Sequence, residues 1–181
     1  MPSTLLSLAR GAIDEMLGTG TLPNLATLLE THPSLNAKGA TFVTLTQEGE
    51  LRGCIGTLEA HRPLYEDIIS NAKAAAFEDP RFLPLTKKEW KTTALELSLL
   101  SPPKPIVYED SAALKQHIRP FVDGVILQHG SKKATFLPQV WEQLPTFEAF
   151  FSHLCQKAGL GPACLSQHPD IFVYQVEKIT A

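Results

Sequence analysis

Of its 181 residues the chain spends only three on cysteine, two on methionine and two on tryptophan. Cys54, Cys155 and Cys164 cannot all pair, and in a cytosolic setting all three are expected to stay reduced thiols. Neither a Cys-x-x-Cys nor a His-x-x-x-His spacing occurs, and Cys155 lies two residues from His153, on a different face of any helix. No metal site is expected. Runs of positive charge are also missing: Lys87-Lys88 and Lys132-Lys133 are the longest, and sixteen basic against nineteen acidic side chains leave a formal charge of -3. That is a poor electrostatic footprint for nucleic acid. The apolar stretch from Phe121 to Leu127 is broken by Asp123, so no membrane-crossing helix is expected. From Met1 to Arg10 no basic region leads an apolar one, so the segment does not read as a secretory signal and a cytoplasmic address is expected. Gly18-Thr19-Gly20 follows a helical pattern rather than a strand, which removes the one candidate for a dinucleotide loop and leaves no cofactor expected.

What is present is a globular composition, 44% hydrophobic and 19% charged. The length suits a single domain over 1–181, with room for a smaller lobe. Leu5, Leu8, Ala9, Ala12, Ile13 and Met16 recur at helical spacing, with Ser3 or Thr4 as cap and Gly18 as stop. Leu25 to Leu29 is a short helical piece. Phe42 to Thr46, a turn at Gln47-Glu48-Gly49 and a strand from Leu51 read as a hairpin. Gly53 and Gly56 inside that second strand point to a bulge or a close backbone approach. Leu64, Ile68, Ala72, Ala75 and Ala76 form a helical stripe behind Pro63, ending before Asp79-Pro80, since a residue preceding proline is pushed out of the helical region. Arg81 to Leu85 reads as extended. Thr86 caps a short helix through Trp90, and Leu95, Leu97 and Leu99 alternate as a half-buried strand.

The proline-rich link Ser101 to Pro105 is the best internal boundary. Beyond it the pattern gives a helix over 111–118 and a hairpin of 122–128 with 134–137, closed at His129-Gly130-Ser131. A helix over 147–158, capped by Thr146, and a final strand over 171–179 follow. Strands and helices mixed irregularly, with two hairpins, predict an α+β fold with a mainly antiparallel sheet and flanking helices.

The block Leu51-Arg52-Gly53-Cys54-Ile55-Gly56 resembles the hallmark of the AMMECR-one domain family, the AmmeMemoRadiSam system protein A of bacteria and archaea. Three further segments fit the same family: Ala72 to Leu85, Glu96 to Pro102, and Asp123-Gly124-Val125 running on to Phe136 through Trp141. Lys157-Ala158-Gly159-Leu160 completes the pattern, whereas residues before Ala40, His32 among them, match loosely. The resemblance implies an α+β fold with a larger and a smaller lobe around a cleft. It also implies association with a Memo-like protein and a radical S-adenosylmethionine protein in a modification pathway, and assigns no chemistry to this subunit.

Three readings of Cys54 stand open. Arginine beside it and glycines around it suit a lowered-pKa nucleophile; a small buried hydrophobe fits equally; and Arg52 with the glycine amides suits an anionic ligand. His61 and His129 are the histidines available to a nucleophile as base. Asp79 and Arg81, flanking Pro80 and followed by Phe82, either take part in the site or form an ion pair that fixes their loop. The candidate cleft is therefore Leu51 to Gly56 with Asp79, Pro80, Arg81 and Phe82. Arg52 and Arg81 are expected at its rim or within it, where a ligand, peptide or protein partner binds. Because no complete nucleophile, base and orienter set can be named, a binding protein is preferred over a cysteine-dependent enzyme subunit.

Overall fold

The computed structural model describes all residues, 1–181, and the chain divides into two compact units, residues 1–100 with 177–181 and residues 101–176. The proline-rich link stands where the second unit begins.

In the first unit, α1 (Pro2–Leu17) buries Leu5, Leu8, Ala9, Ala12 and Ile13, the face its spacing predicts, while Met16 is exposed. Its start differs from expectation. Pro2 occupies the first turn, where a missing N–H costs nothing, so Met1 rather than Ser3 or Thr4 is the N-cap. Gly18 ends it in the left-handed region, at φ 67°. After α2 (Leu25–Thr31) come β1 (Lys38–Gln47), β2 (Glu50–Gly56), the two-residue β3 (Arg62–Pro63), α3 (Leu64–Phe77), α4 (Lys87–Trp90) and β4 (Thr93–Leu100). β1 pairs antiparallel with β2, β3 and β4. Val43, Leu45, Leu97, Ile68, Leu8 and Ile13 form a fully buried core among these strands, α3 and α1.

Beneath α3 lies a buried polar knot. Asp67, wholly inaccessible, accepts hydrogen bonds from the Thr41 backbone N–H (2.8 Å) and hydroxyl (2.7 Å), the Thr57 hydroxyl (2.7 Å), the Asn71 amide (3.0 Å) and Arg62 Nε (2.8 Å). Every lone pair of the carboxylate has a donor, which is what a charge buried this deeply requires.

The second unit runs β5 (Lys104–Ile106), α5 (Ser111–His117), β6 (Gly124–His129), β7 (Lys132–Phe136), α6 (Phe147–Lys157) and β8 (Asp170–Tyr174). Its antiparallel sheet has the order β5-β8-β6-β7. Trp141 and Phe150 stack at 3.7 Å in the core, and the Trp141 indole N–H donates to the Asp123 carbonyl. Cys155 and Cys164 are joined in a disulfide, not held as thiols, because the turn after α6 returns the chain to within 5.7 Å Cα to Cα, inside disulfide reach. The single last strand over 171–179 is two: β8 ends at Tyr174, and β9 (Val176–Thr180) joins the first unit's sheet, whose order is β2-β1-β4-β9. The break falls at Gln175.

Candidate functional site

The β1–β2 register slips between Leu45 and Thr46: Leu45 faces Gly53 but Thr46 faces Leu51, leaving Arg52 as the extra residue of a bulge. One residue on, Gly53 lies so close to α3 that a Cβ there would stand 2.1 Å from the Ala75 carbonyl oxygen. A Cβ on Gly56 would meet the Phe42 ring at 2.2 Å. The glycines thus admit neighbouring protein groups, and the bulge and the close approach both occur.

β2 is the outer strand of its sheet, so Cys54 turns its backbone groups away from β1. The loop after α3 satisfies both: Asp79 Oδ2 accepts the Cys54 N–H at 3.0 Å, and Arg81 Nη2 donates to the Cys54 carbonyl at 3.4 Å. Asp79 and Arg81 are themselves bound, Nη2 to Oδ2 at 2.8 Å and Nε to Oδ1 at 3.0 Å. Asp79 also accepts the Arg81 N–H at 3.1 Å, which curls the loop. Residues 79–82 form a turn closed by the Phe82 N–H on the Asp79 carbonyl, so the segment expected to be extended from Arg81 to Leu85 is turned at Arg81 and Phe82; there the buried carboxylate outweighs the extended bias that the prolines suggest.

Arg52 completes the clamp. Its Nε and Nη2 reach the two oxygens of Glu89 at 3.0 and 3.3 Å, and Nη2 also donates to the Leu83 carbonyl at 2.7 Å. Nη1 is buried without a partner. Glu89 belongs to a capping box with Thr86 at the start of α4. The Phe82 ring lies within reach of both guanidiniums, 5.6 Å from Arg52 and 5.5 Å from Arg81. The charges tune one another: the Arg81 guanidinium, helped by the Cys54 and Arg81 N–H groups, holds Asp79 well below the usual carboxylate range, and Arg52 with Thr86 lowers Glu89 to about 2. Both stay anionic at neutral pH. The Cys54 sulfur lies 3.4 Å from the Thr44 hydroxyl directly across the ladder.

A family model, AMMECR1, matches residues 6–179. The chain belongs to the AMMECR1 family. A protein of Methanothermobacter thermautotrophicus is 37% identical over 179 residues, 96% of this chain and 90% of that one. A Thermofilum pendens protein is 38% identical over 171 residues, covering 86% and 78%. The crystal structure of the Pyrococcus horikoshii protein PH0010 superposes with a TM-score of 0.76 at 34% identity, over 96% of this chain and 88% of that one. The AMMECR1 match reaches back to residue 6, well before Ala40, where the sequence had looked divergent.

Within this AMMECR1 chain the structure brings Arg52, Cys54, Asp79, Arg81 and Phe82 into one cluster. Ile55 instead packs on the core, Gly53 and Gly56 serve the approach of protein groups, and Leu51 and Pro80 are exposed. Arg52 is no rim residue, since its side chain is only 11% exposed and is spent on Glu89 and Leu83. The ring of His61 meets its own loop, Nδ1 lying 3.1 Å from the Glu59 carbonyl, and His129 ends β6 in the second unit. Sequence reading missed Glu89, although the Thr86-x-x-Glu89 spacing of a capping box announced it. It also missed Asp67 and Asn71, whose i, i+4 spacing beside the α3 stripe was the available signal.

Proposed function

We infer that the loop of residues 79–85, clamped on β2, is a docking surface for a protein partner, and that the chain acts as a binding protein rather than as a cysteine enzyme. The observation that carries this reading is Leu83, 83% exposed at the crest of a loop that five charged or backbone bonds hold still, with Leu51 (43% exposed) and the open face of Arg81 on the segments beside it. An apolar side chain displayed on a rigid frame next to arginine loses little entropy on binding and has its whole surface to bury against a partner. The neighbours of Cys54 favour the same side: its sulfur meets a threonine hydroxyl, which supplies no general base, and Asp79 is saturated by donors. A Memo-like or radical S-adenosylmethionine protein is the first candidate partner, and the pathway such a partner belongs to is where this chain would act.

Calorimetry with purified candidates tests this. Leu83→Asp, and separately Arg81→Ala, weaken binding at least about fivefold, while thermal melts of Leu83→Asp match the wild type. Unchanged affinity in both variants removes the loop from the interface. Turnover by the isolated chain that is lost in Cys54→Ser refutes the binding reading.

A further inference from the structure

We propose that the second unit carries a separate recognition pocket for an arginine side chain presented by a peptide. A concavity of about 500 Å³ opens between the start of α5, the first half of α6 and the strap of residues 162–168. This is the size of a pocket for one large side chain or a small ligand. None of its lining residues belongs to the loop site of the first unit, so the two proposals stand or fall apart.

Its chemistry is lopsided. The floor is aromatic, Phe147 and Phe151 lying 4.5 Å apart with rings tilted by 34°. The rim is acidic. Glu109 lines it with no ion-pair or hydrogen-bond partner, Asp110 keeps a carboxylate that caps α5 through the Ala113 N–H, and Glu148 pairs with Lys115 at 2.9 Å. Lys115 thus offsets one of the three carboxylates and leaves two uncompensated. A planar guanidinium on an alkyl stem matches both parts, the stem and cation facing the rings and the five N–H donors facing carboxylates and the Ser152 and Ser166 hydroxyls.

The wall is built to stay open. The strap that forms it is tied to α6 by the Cys155–Cys164 disulfide. At its far end the His168 ring stacks on Tyr108 at 4.3 Å, its Nε2 lies 2.8 Å from the Tyr108 carbonyl, and the Tyr108 hydroxyl donates to the Pro169 carbonyl. Burial pushes the Tyr108 phenol up to about 12, so this anchor stays neutral and bonded at physiological pH. A preformed pocket spends little free energy on ordering. A peptide, rather than a free alkylguanidine, is the occupant because Val107, two residues before Glu109, is 92% exposed. That apolar side chain serves the residue flanking an arginine and is of no use to a small cation.

The probe is a capped peptide with one arginine between valines, measured by calorimetry on the full chain against its citrulline counterpart and against agmatine. The arginine peptide binds at least about tenfold more tightly than the citrulline peptide, since citrulline keeps the shape and loses the charge. Glu109→Gln weakens the arginine peptide about threefold or more, and Val107→Ser, which removes the apolar contact without adding charge, weakens it while leaving agmatine unaffected. Equal affinity for citrulline overturns cation recognition, and agmatine binding as tightly as the peptide overturns the peptide assignment. No binding of the arginine peptide at millimolar concentration overturns the pocket itself, as would a concentration-dependent dimer abolished by Glu109→Gln, which would make a second copy the occupant.

Discussion

Gly53→Ala separates two physical reasons for a glycine. On a strand in open space the substitution restricts the unfolded chain and stabilises by about 0.4–1 kcal/mol. Gly53 has no such space. Its Cβ would stand 2.1 Å from the Ala75 oxygen, against an ordinary contact of 3.4 Å or more, and the obstacle is helix backbone rather than a side chain that can turn aside. Relief requires α3 to retreat by more than about 1 Å, yet Ile68, Ala72, Ala75 and Ala76 on that helix are already buried in the core, which resists such a shift. Overpacking of this kind costs about 1–3 kcal/mol, and the full overlap places Gly53→Ala near the upper end. Urea titration reads it as a lower midpoint at unchanged slope. Gly161→Ala, where a Cβ meets nothing within 4 Å, is the control and should be neutral or slightly stabilising. If Gly53→Ala is as stable as the wild type, the close approach of β2 to α3 is not a constraint and the reasoning fails.

Further outcomes follow from the charges and the cysteines. Asp79 and Glu89 have folded pKa values below their ordinary 3.8 and 4.5, so the stability they add is complete above about pH 4.5 and is lost as pH falls toward 2. Melts across that window should drop less steeply for Glu89→Gln than for the wild type; parallel curves would rule out the Arg52 pair as a stabilising element. Asp67→Asn leaves Arg62 without its counter-charge and replaces one acceptor by a donor amid Thr41, Thr57 and Asn71, at a cost of about 3 kcal/mol in denaturant unfolding. A loss below about 1 kcal/mol would show that the knot is dispensable. Alkylation in denaturant without reductant should label Cys54 alone, and all three cysteines after reduction; labelling at Cys155 or Cys164 before reduction contradicts the disulfide.

Much of this fold was legible because it rests on local rules. The α3 stripe, the Thr86 and Thr146 caps, Gly18 as a stop and both hairpins depend on residues a few positions apart. The glycines of β2 were also informative, as two of them in one strand point to a bulge or a close approach, and both occur. What escaped depends on separations a pattern does not encode. Arg52 finds Glu89 thirty-seven residues later, and Thr41 meets Asp67 across twenty-six. The disulfide escaped for another reason: cysteine pairing was judged from the expected compartment, while the chain's path decided it. At the candidate site the cluster of Cys54 with Asp79 and Arg81 was foreseeable, but the direction of Arg52 was not, because a bulge shifts its side chain off the regular alternation.

The chain leaves the first sheet at Leu100, builds the whole second unit, and returns to lay β9 beside β4. A sheet completed in this way is an event of long contact order, since its outer strand is made only after everything in between. Closing so long an excursion is entropically slow for a disordered segment. Once residues 101–176 have folded, however, Ser101 and Gln175 are bridged by the Ser101 N–H on the Gln175 carbonyl at 2.9 Å and the Gln175 N–H on the Ser101 hydroxyl at 2.8 Å. The excursion then behaves as a short clasp that delivers β9 to its slot. On this ordering, mutations that unsettle the second unit should slow the pairing of β9 with β4, even when they touch neither strand.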